Sequence, residues 1–259
     1  MTEDFPDAED YPDPGEGYRE PESIAWYGLT DGLAALHLFG SDAFLRMQSN
    51  NLALVDQFIM DLETELLATY FREERTPMDQ AMFLSAQSQM WIFAAYELMR
   101  TWRQRAKDVL KLHANGGLKL KAESLEKDQG YVHHGREARA RELREMMADP
   151  ALVLRLEEDL RHTHICFTRM EFIRVALAKH EVSGKPKAVA YAPGYGRINM
   201  DCGALEYQMS NGPMILGNIS RRDIADEIRA LSDRSRIPTP EDLKEFDASM
   251  NPPANPFGN

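Results

Sequence analysis

The chain is expected to be mainly α: a bundle of long helices with a small β-hairpin or meander plus helix as an appendage, and disordered tails. Three observations lead there. Between residues 41 and 182 apolar residues recur at three-to-four spacing, which lines up one face of a helix. After residue 186 the pattern shortens to alternation, punctuated by Gly and Asn turns. Both ends are rich in proline and poor in aliphatic residues. The expected division is a disordered acidic tail (1–22), a helical bundle (23–185), a β-meander plus helix (186–236) and a Pro-rich disordered tail (237–259).

The first tail holds nine acids against one base, Arg19, so eight of the chain's net −12 charges lie there and the body is close to neutral. Phe5, Tyr11 and Tyr18 are spaced through those acids, as a solubilising tail or a docking segment would have them. Thr30 is read as starting a short helix that ends at Gly40. Ser41 or Asp42 can cap the next one, whose apolar side runs through Phe44, Met47, Leu52, Val55, Phe58, Ile59, Leu62 and Leu66 to about Tyr70. Asn50-Asn51 is its weak point. Thr76 precedes Pro77, with Asp79 three residues on, so an N-cap with Pro at N1 is expected. From there Phe83, Met90, Trp91, Ala94, Leu98, Trp102, Val109 and Leu112 carry a helix to His113, stopped by Asn115-Gly116-Gly117. At 1.5 Å per residue it is about 55 Å long, a length that bundles along its whole face or reaches a second subunit.

Leu118 to Gly135 has no decided pattern, and Arg136 to Met147 reads as a charged helix. Asp149-Pro150 opens one long helix, with Leu152, Leu156, Leu160, Phe167, Met170, Ile173 and Leu177 inside, that ends at Ser183-Gly184. Beyond it, Ala188–Tyr191, Arg197–Met200 and Ala204–Met209 are strand candidates, with turns at Pro193–Gly196, Asp201–Gly203 and Asn211-Gly212. Ser220 with Asp223 makes a capping box for a helix from Arg221 to about Leu231. After Phe246 no apolar period is left, and the five prolines from Ile237 onward argue against fixed structure.

No stretch approaches the roughly 20 apolar residues of a membrane span. The acidic start lacks the basic and apolar regions of a secretory signal. Two cysteines, Cys166 and Cys202, without a CxxC pair suit a reducing compartment. A cytoplasmic location with no membrane partner is therefore expected.

Chemistry concentrates on the long helix. Arg155, His162 and Arg169 are seven apart and share a stripe, and Arg174 and His180 follow near the helix end. Arg155–His162 and Arg174–His180 each fit the pattern R-x(4–6)-H. In an all-helical setting, that pattern resembles the HEPN family of metal-independent ribonucleases, over residues 41–182 at most. The resemblance implies a dimer whose Arg–His pairs face a shared cleft. A His would act as base or acid on a ribose 2′-OH, and an Arg would stabilise the charge on phosphorus. Leu156 and Val175 stand where that family often has a polar residue. The bland reading of the same four residues is a solvated stripe paired with Glu158 or Glu171.

Glu158, His162 and Cys166 at i, i+4 and i+8 could face one way like metal ligands. A di-iron arrangement would need a second Glu-x-x-His, and no His stands three residues after Glu63, Glu65 or Glu97. No metal or other cofactor is expected. His133-His134 reads as a surface pair and Gly194-Tyr195-Gly196-Arg197 as a hairpin turn rather than a phosphate loop. Tyr96, Glu97, Arg100, Trp102 and Arg103 read as core and an intrahelical pair rather than a stacking face. Fourteen methionines suit adaptable contact with another protein. The expected function is a cytoplasmic interaction or regulatory protein, working as a homodimer with a protein partner not identified by the sequence. The alternative is a HEPN-like ribonuclease of a toxin or phage-defence system, with RNA as substrate and Arg155, His162, Arg174 and His180 as its catalytic residues.

Overall fold

In a computed structural model, which describes residues 18–178, 196–211 and 214–251, the chain is mainly helical with one small antiparallel sheet. Asp42 caps α2 (Ala43–Glu73): its carboxylate accepts from the Phe44 and Leu45 amides at 2.8 and 3.1 Å. The helix passes Asn50-Asn51 without interruption and ends at Glu74 in the left-handed region. α3 (Met78–Ala114) returns antiparallel beside it, and the Trp91 indole donates to the Leu52 carbonyl at 3.0 Å. Its start differs from the expected one, because Pro77 occupies the N-cap and no side chain caps it. These two helices form the frame.

The others pack around that frame. α1 (Gly28–Ala34) lies against α2 and the later α8. It stops short of Gly40 because the next segment is claimed elsewhere: the His37 amide donates to Asp159 Oδ2 at 2.7 Å, and Trp102 donates to the His37 carbonyl at 2.8 Å. α4 (Leu118–Glu126) and α5 (His134–Ala148) make a hairpin, so part of the undecided Leu118–Gly135 segment is helix.

The expected single helix from Asp149 is two, α6 (Ala151–His162) and α7 (His164–Ala178). Thr163 separates them. Its hydroxyl donates to the Asp159 carbonyl at 2.9 Å, and Arg103 reaches in to donate to the Leu160 carbonyl at 2.9 Å. A carbonyl taken by a guanidinium and a hydroxyl that bonds back to its own turn interrupt the helical ladder. The buried Arg103 also lies 4.8 Å over the Phe167 ring, and desolvation draws its pKa down to about 10.

The sheet is β1 (Arg197–Ile198), β2 (Leu205–Asn211) and β3 (Met214–Ser220) in sequential antiparallel order. β3 was not expected, and the Ala188–Tyr191 candidate lies outside the described residues. The capping box forms as read: Ser220 and Asp223 exchange bonds and open α8 (Arg221–Arg229), which a 3-10 turn extends through Ala230–Ser232. The segment from Ile237 is not structureless, since α9 (Pro240–Met250) begins with a second capping box, Thr239 with Asp242. The signal was legible in Thr239-Pro240-Glu241-Asp242. The five prolines and the lack of an apolar period after Phe246 point the other way, yet two of those prolines, Pro238 and Pro240, only precede and open the helix. Tyr18 and Arg19, at the end of the acidic tail, bond Asp223 and Asp226 at 2.7 and 3.0 Å.

One continuous core joins all of this. Tyr207, Ile219, Ile224 and Ile228 from the sheet and α8 are buried in the same cluster as Trp91, Trp102 and Ile173 of the helices. Among the described residues, no helix is long and apolar enough to cross a membrane.

Candidate functional site

The Arg and His residues singled out in the sequence fall in different settings. Arg155 is held by Asp159 Oδ1 at 3.2 Å and by the Ala35 carbonyl at 2.9 Å. His162 ends α6 and is 8 % exposed. Burial holds its pKa below the ordinary imidazole value, with Arg234 adding to the effect. Arg174, on α7, lies over the Tyr96 ring at 5.1 Å and 3.9 Å from Glu97. His180 lies outside the described residues.

Around the first pair, the structure assembles a knot centred on Asp159, which is fully buried. Asp159 accepts from Arg155, from the His37 amide and from Arg234 at 2.6 Å, while Arg234 also pairs with Glu158. The knot fastens α6 to the α1–α2 connection and to the turn Arg234–Arg236. Its chemistry is that of an internal charge satisfied from three sides.

The helix break also separates His162 from Cys166, whose thiol is buried and pushed well above its ordinary pKa by that burial. Among the described residues, no group of three or more His, Cys, Asp or Glu could hold a metal ion. His133 caps α5 by accepting from the Arg136 amide at 3.3 Å, and His134 sits 3.4 Å from Glu137, both at the surface. Trp91 and Trp102 are core residues, as read, and Arg100 pairs with Glu97 at 2.7 Å.

Two features went unread in the sequence. The first is a buried ion network between α2 and α8. Arg221 donates to Glu63 at 3.0 and 2.7 Å and also to Asp56, Arg229 binds Asp56, and Arg222 lies 3.5 Å from Glu63. Asp56 and Glu63 are seven apart, so both face α8. With Asp226 beside Arg229 at 2.7 Å, three cations meet three anions.

The second is apolar and outward. Phe44, Met47, Val55 and Phe58 on α2 are 61, 50, 41 and 51 % exposed; Phe83 and Met90 on α3 are 49 and 59 % exposed. The sequence places all six on core faces; in the fold they face solvent instead. The apolar positions on α2 spread over a wide arc: Leu45, Leu52, Ile59 and Leu66 fill the core side, whereas Phe44, Val55 and Phe58 lie roughly 50–110° to one side of it and face solvent. The surplus of apolar positions over what one stripe can hold was the available signal.

A groove of about 520 Å³ runs between the outward stripes, with Phe44, Val55, Met90 and Ala94 along it and Glu97 as its one charged lining residue. Two other clefts lie between α4 and α5 (about 850 Å³) and between the start of α3 and β1 (about 380 Å³). Arg155, His162 and Arg174 line none of the three. The groove has no acid–base pair and no cluster of cations. What it can do is remove hydrocarbon from water against a complementary surface. Comparison with known proteins found no matching family model, no matching curated protein and no matching solved structure.

Proposed function

We propose that the chain is a cytoplasmic helical interaction protein that works by docking another polypeptide on the outward face of α2 and α3. The observation that carries this reading is the exposed apolar stripe pair flanking an almost uncharged groove. The largest apolar patch on a monomer is about 300–600 Å² and is often a contact site. Charge depletion with enrichment in aromatic residues and Met is the composition of an interface centre. The two free cysteines suit the reducing compartment. The homodimer expected from the sequence belongs to this proposal. The ribonuclease alternative has no comparable support: Arg155 is engaged by Asp159 and Ala35, and His162 lies inside.

The test places a photo-reactive residue at Met90 in living cells, with Leu154, an exposed apolar residue on α6, as the control position. Protein adducts identified by mass spectrometry at position 90, and not at 154, are expected. Equal or absent labelling at the two positions would overturn the reading.

A further inference from the structure

We infer that the occupant of the α2–α3 groove is a second copy of this chain, whose own α2–α3 hairpin lies across the first to close a two-fold four-helix bundle. The inference rests on the docking reading above and names its partner.

The spacing comes first. Phe44, Gln48, Asn51, Val55, Phe58 and Leu62 follow each other at alternating steps of four and three. Phe83, Gln87, Met90, Ala94, Glu97 and Thr101 do the same on α3. That is the step pattern of a helix–helix seam, and both helices already use another stripe for the core.

The symmetry comes second. Each seam spans 18 residue steps, about 27 Å of helix. The midpoints fall at residues 53 and 92, and the Trp91–Leu52 hydrogen bond sets those levels side by side. The two seams therefore begin and end together on antiparallel helices. A two-fold axis crossing the hairpin at the Leu52–Trp91 level maps this face onto itself, as an isologous interface requires. Met90 then stands opposite Ala94 of the second copy and Phe83 opposite its Thr101, so large side chains meet small ones. Every helix in the resulting bundle is antiparallel to its neighbours, the arrangement of up-and-down bundles.

Area and charge come third. A fully exposed aromatic or Met side chain presents roughly 200 Å², so the six outward residues expose on the order of 600 Å². That is most of the roughly 800 Å² that one partner contributes to an interface of standard size, and the polar positions between them add to it. Glu97, the one charged lining residue, is already paired with Arg100, so two negatively charged chains meet there without opposing charges. A phosphate backbone would find too few cations on this face.

The experiment is light scattering on the full chain at about 100 μM, with Met90→Glu and Leu154→Glu beside it. Both replaced residues are more than half exposed, so each variant should keep the parent circular dichroism. The parent and Leu154→Glu should run at twice the 29.5 kDa chain mass, and Met90→Glu should raise the dissociation constant at least 100-fold. A monomeric parent would overturn the second-copy assignment, as would a dimer that Met90→Glu leaves intact. A monomeric parent with adducts to a different protein at position 90 would overturn this inference while the docking reading stands. The absence of adducts specific to position 90 would end both.

Discussion

The two faces of α2 carry chemistry opposite to their surroundings. The face turned inward buries Asp56 and Glu63 against three arginines of α8, while the face turned outward presents Phe44, Val55 and Phe58 to solvent. Burying charge is costly, and an ion network repays it only with good geometry and full pairing. Exposing aromatic residues is costly too, and among the described residues none covers these side chains. The inner face joins α2 to α8 through paired charges, with Glu63 Oε2 and the Arg222 and Arg229 Nε atoms left without a hydrogen-bond partner among the described residues. The outer face is the part of the molecule whose free energy still falls when something covers it.

Perturbing each face separately sharpens that contrast. Arg221→Met should be the most damaging change, because it removes both hydrogen bonds to Glu63 and one to Asp56 in the interior, leaving Arg222 and Arg229 to hold the two acids beside Trp91, over whose ring the guanidinium lies at 5.5 Å. A loss of about 3–5 kcal/mol is expected from urea unfolding. A loss under about 1 kcal/mol would mean that the network is not a joint at all.

Gly203→Ala should rank next. Gly203 sits at φ +77°, and an added Cβ would fall 2.0 Å from the Glu63 carbonyl oxygen, backbone that cannot step aside without moving α2. About 2–3 kcal/mol should be lost, read from the same unfolding curves. An unchanged midpoint would show that the hairpin does not press on α2 as described.

The Asp159 knot gives a smaller, pH-dependent effect. The folded pKa of His162 lies below its ordinary value of about 6.5 because the ring is buried and Arg234 is near, and His37 is lowered by burial as well. Above that pH both rings are neutral in either state and their contribution is whole. As pH falls through about 6.5, the unfolded chain takes up protons that the folded chain refuses, so stability drops. Thermal unfolding between pH 7 and 5.5 should show this fall, and His162→Gln should flatten it. A slope identical in the variant would remove His162 from the account.

The smallest change belongs to the outer face. Phe58→Ser, made in the Met90→Glu background so that association does not enter, should shift unfolding by less than about 0.5 kcal/mol. A loss above 2 kcal/mol would place Phe58 in the fold of the single chain and dissolve the contrast.

The sequence by itself determined much of the architecture. Asp42, Ser220 with Asp223, and Asn115-Gly116-Gly117 stop or start helices through bonds within a few residues, so their signals are local and complete. Alternation marked β1 and β2 in the same way. What only the tertiary structure decided depends on groups far apart in the chain. Thr163 breaks a helix that its neighbours favour because Arg103, 60 residues away, takes up the Leu160 carbonyl and meets the Thr163 hydroxyl. The α1 helix ends early because Asp159 captures the His37 amide.

The candidate site divides the same way. Periodicity shows that Phe58 and Met90 lie on helices, but two apolar stripes on one helix look alike until packing assigns one to the core. Likewise, Asp56 and Glu63 resemble solvated acids until Arg221, 165 and 158 residues further on, is brought against them. Local hydrogen bonding and side-chain period are written residue by residue, whereas burial and ion pairing are properties of which elements meet.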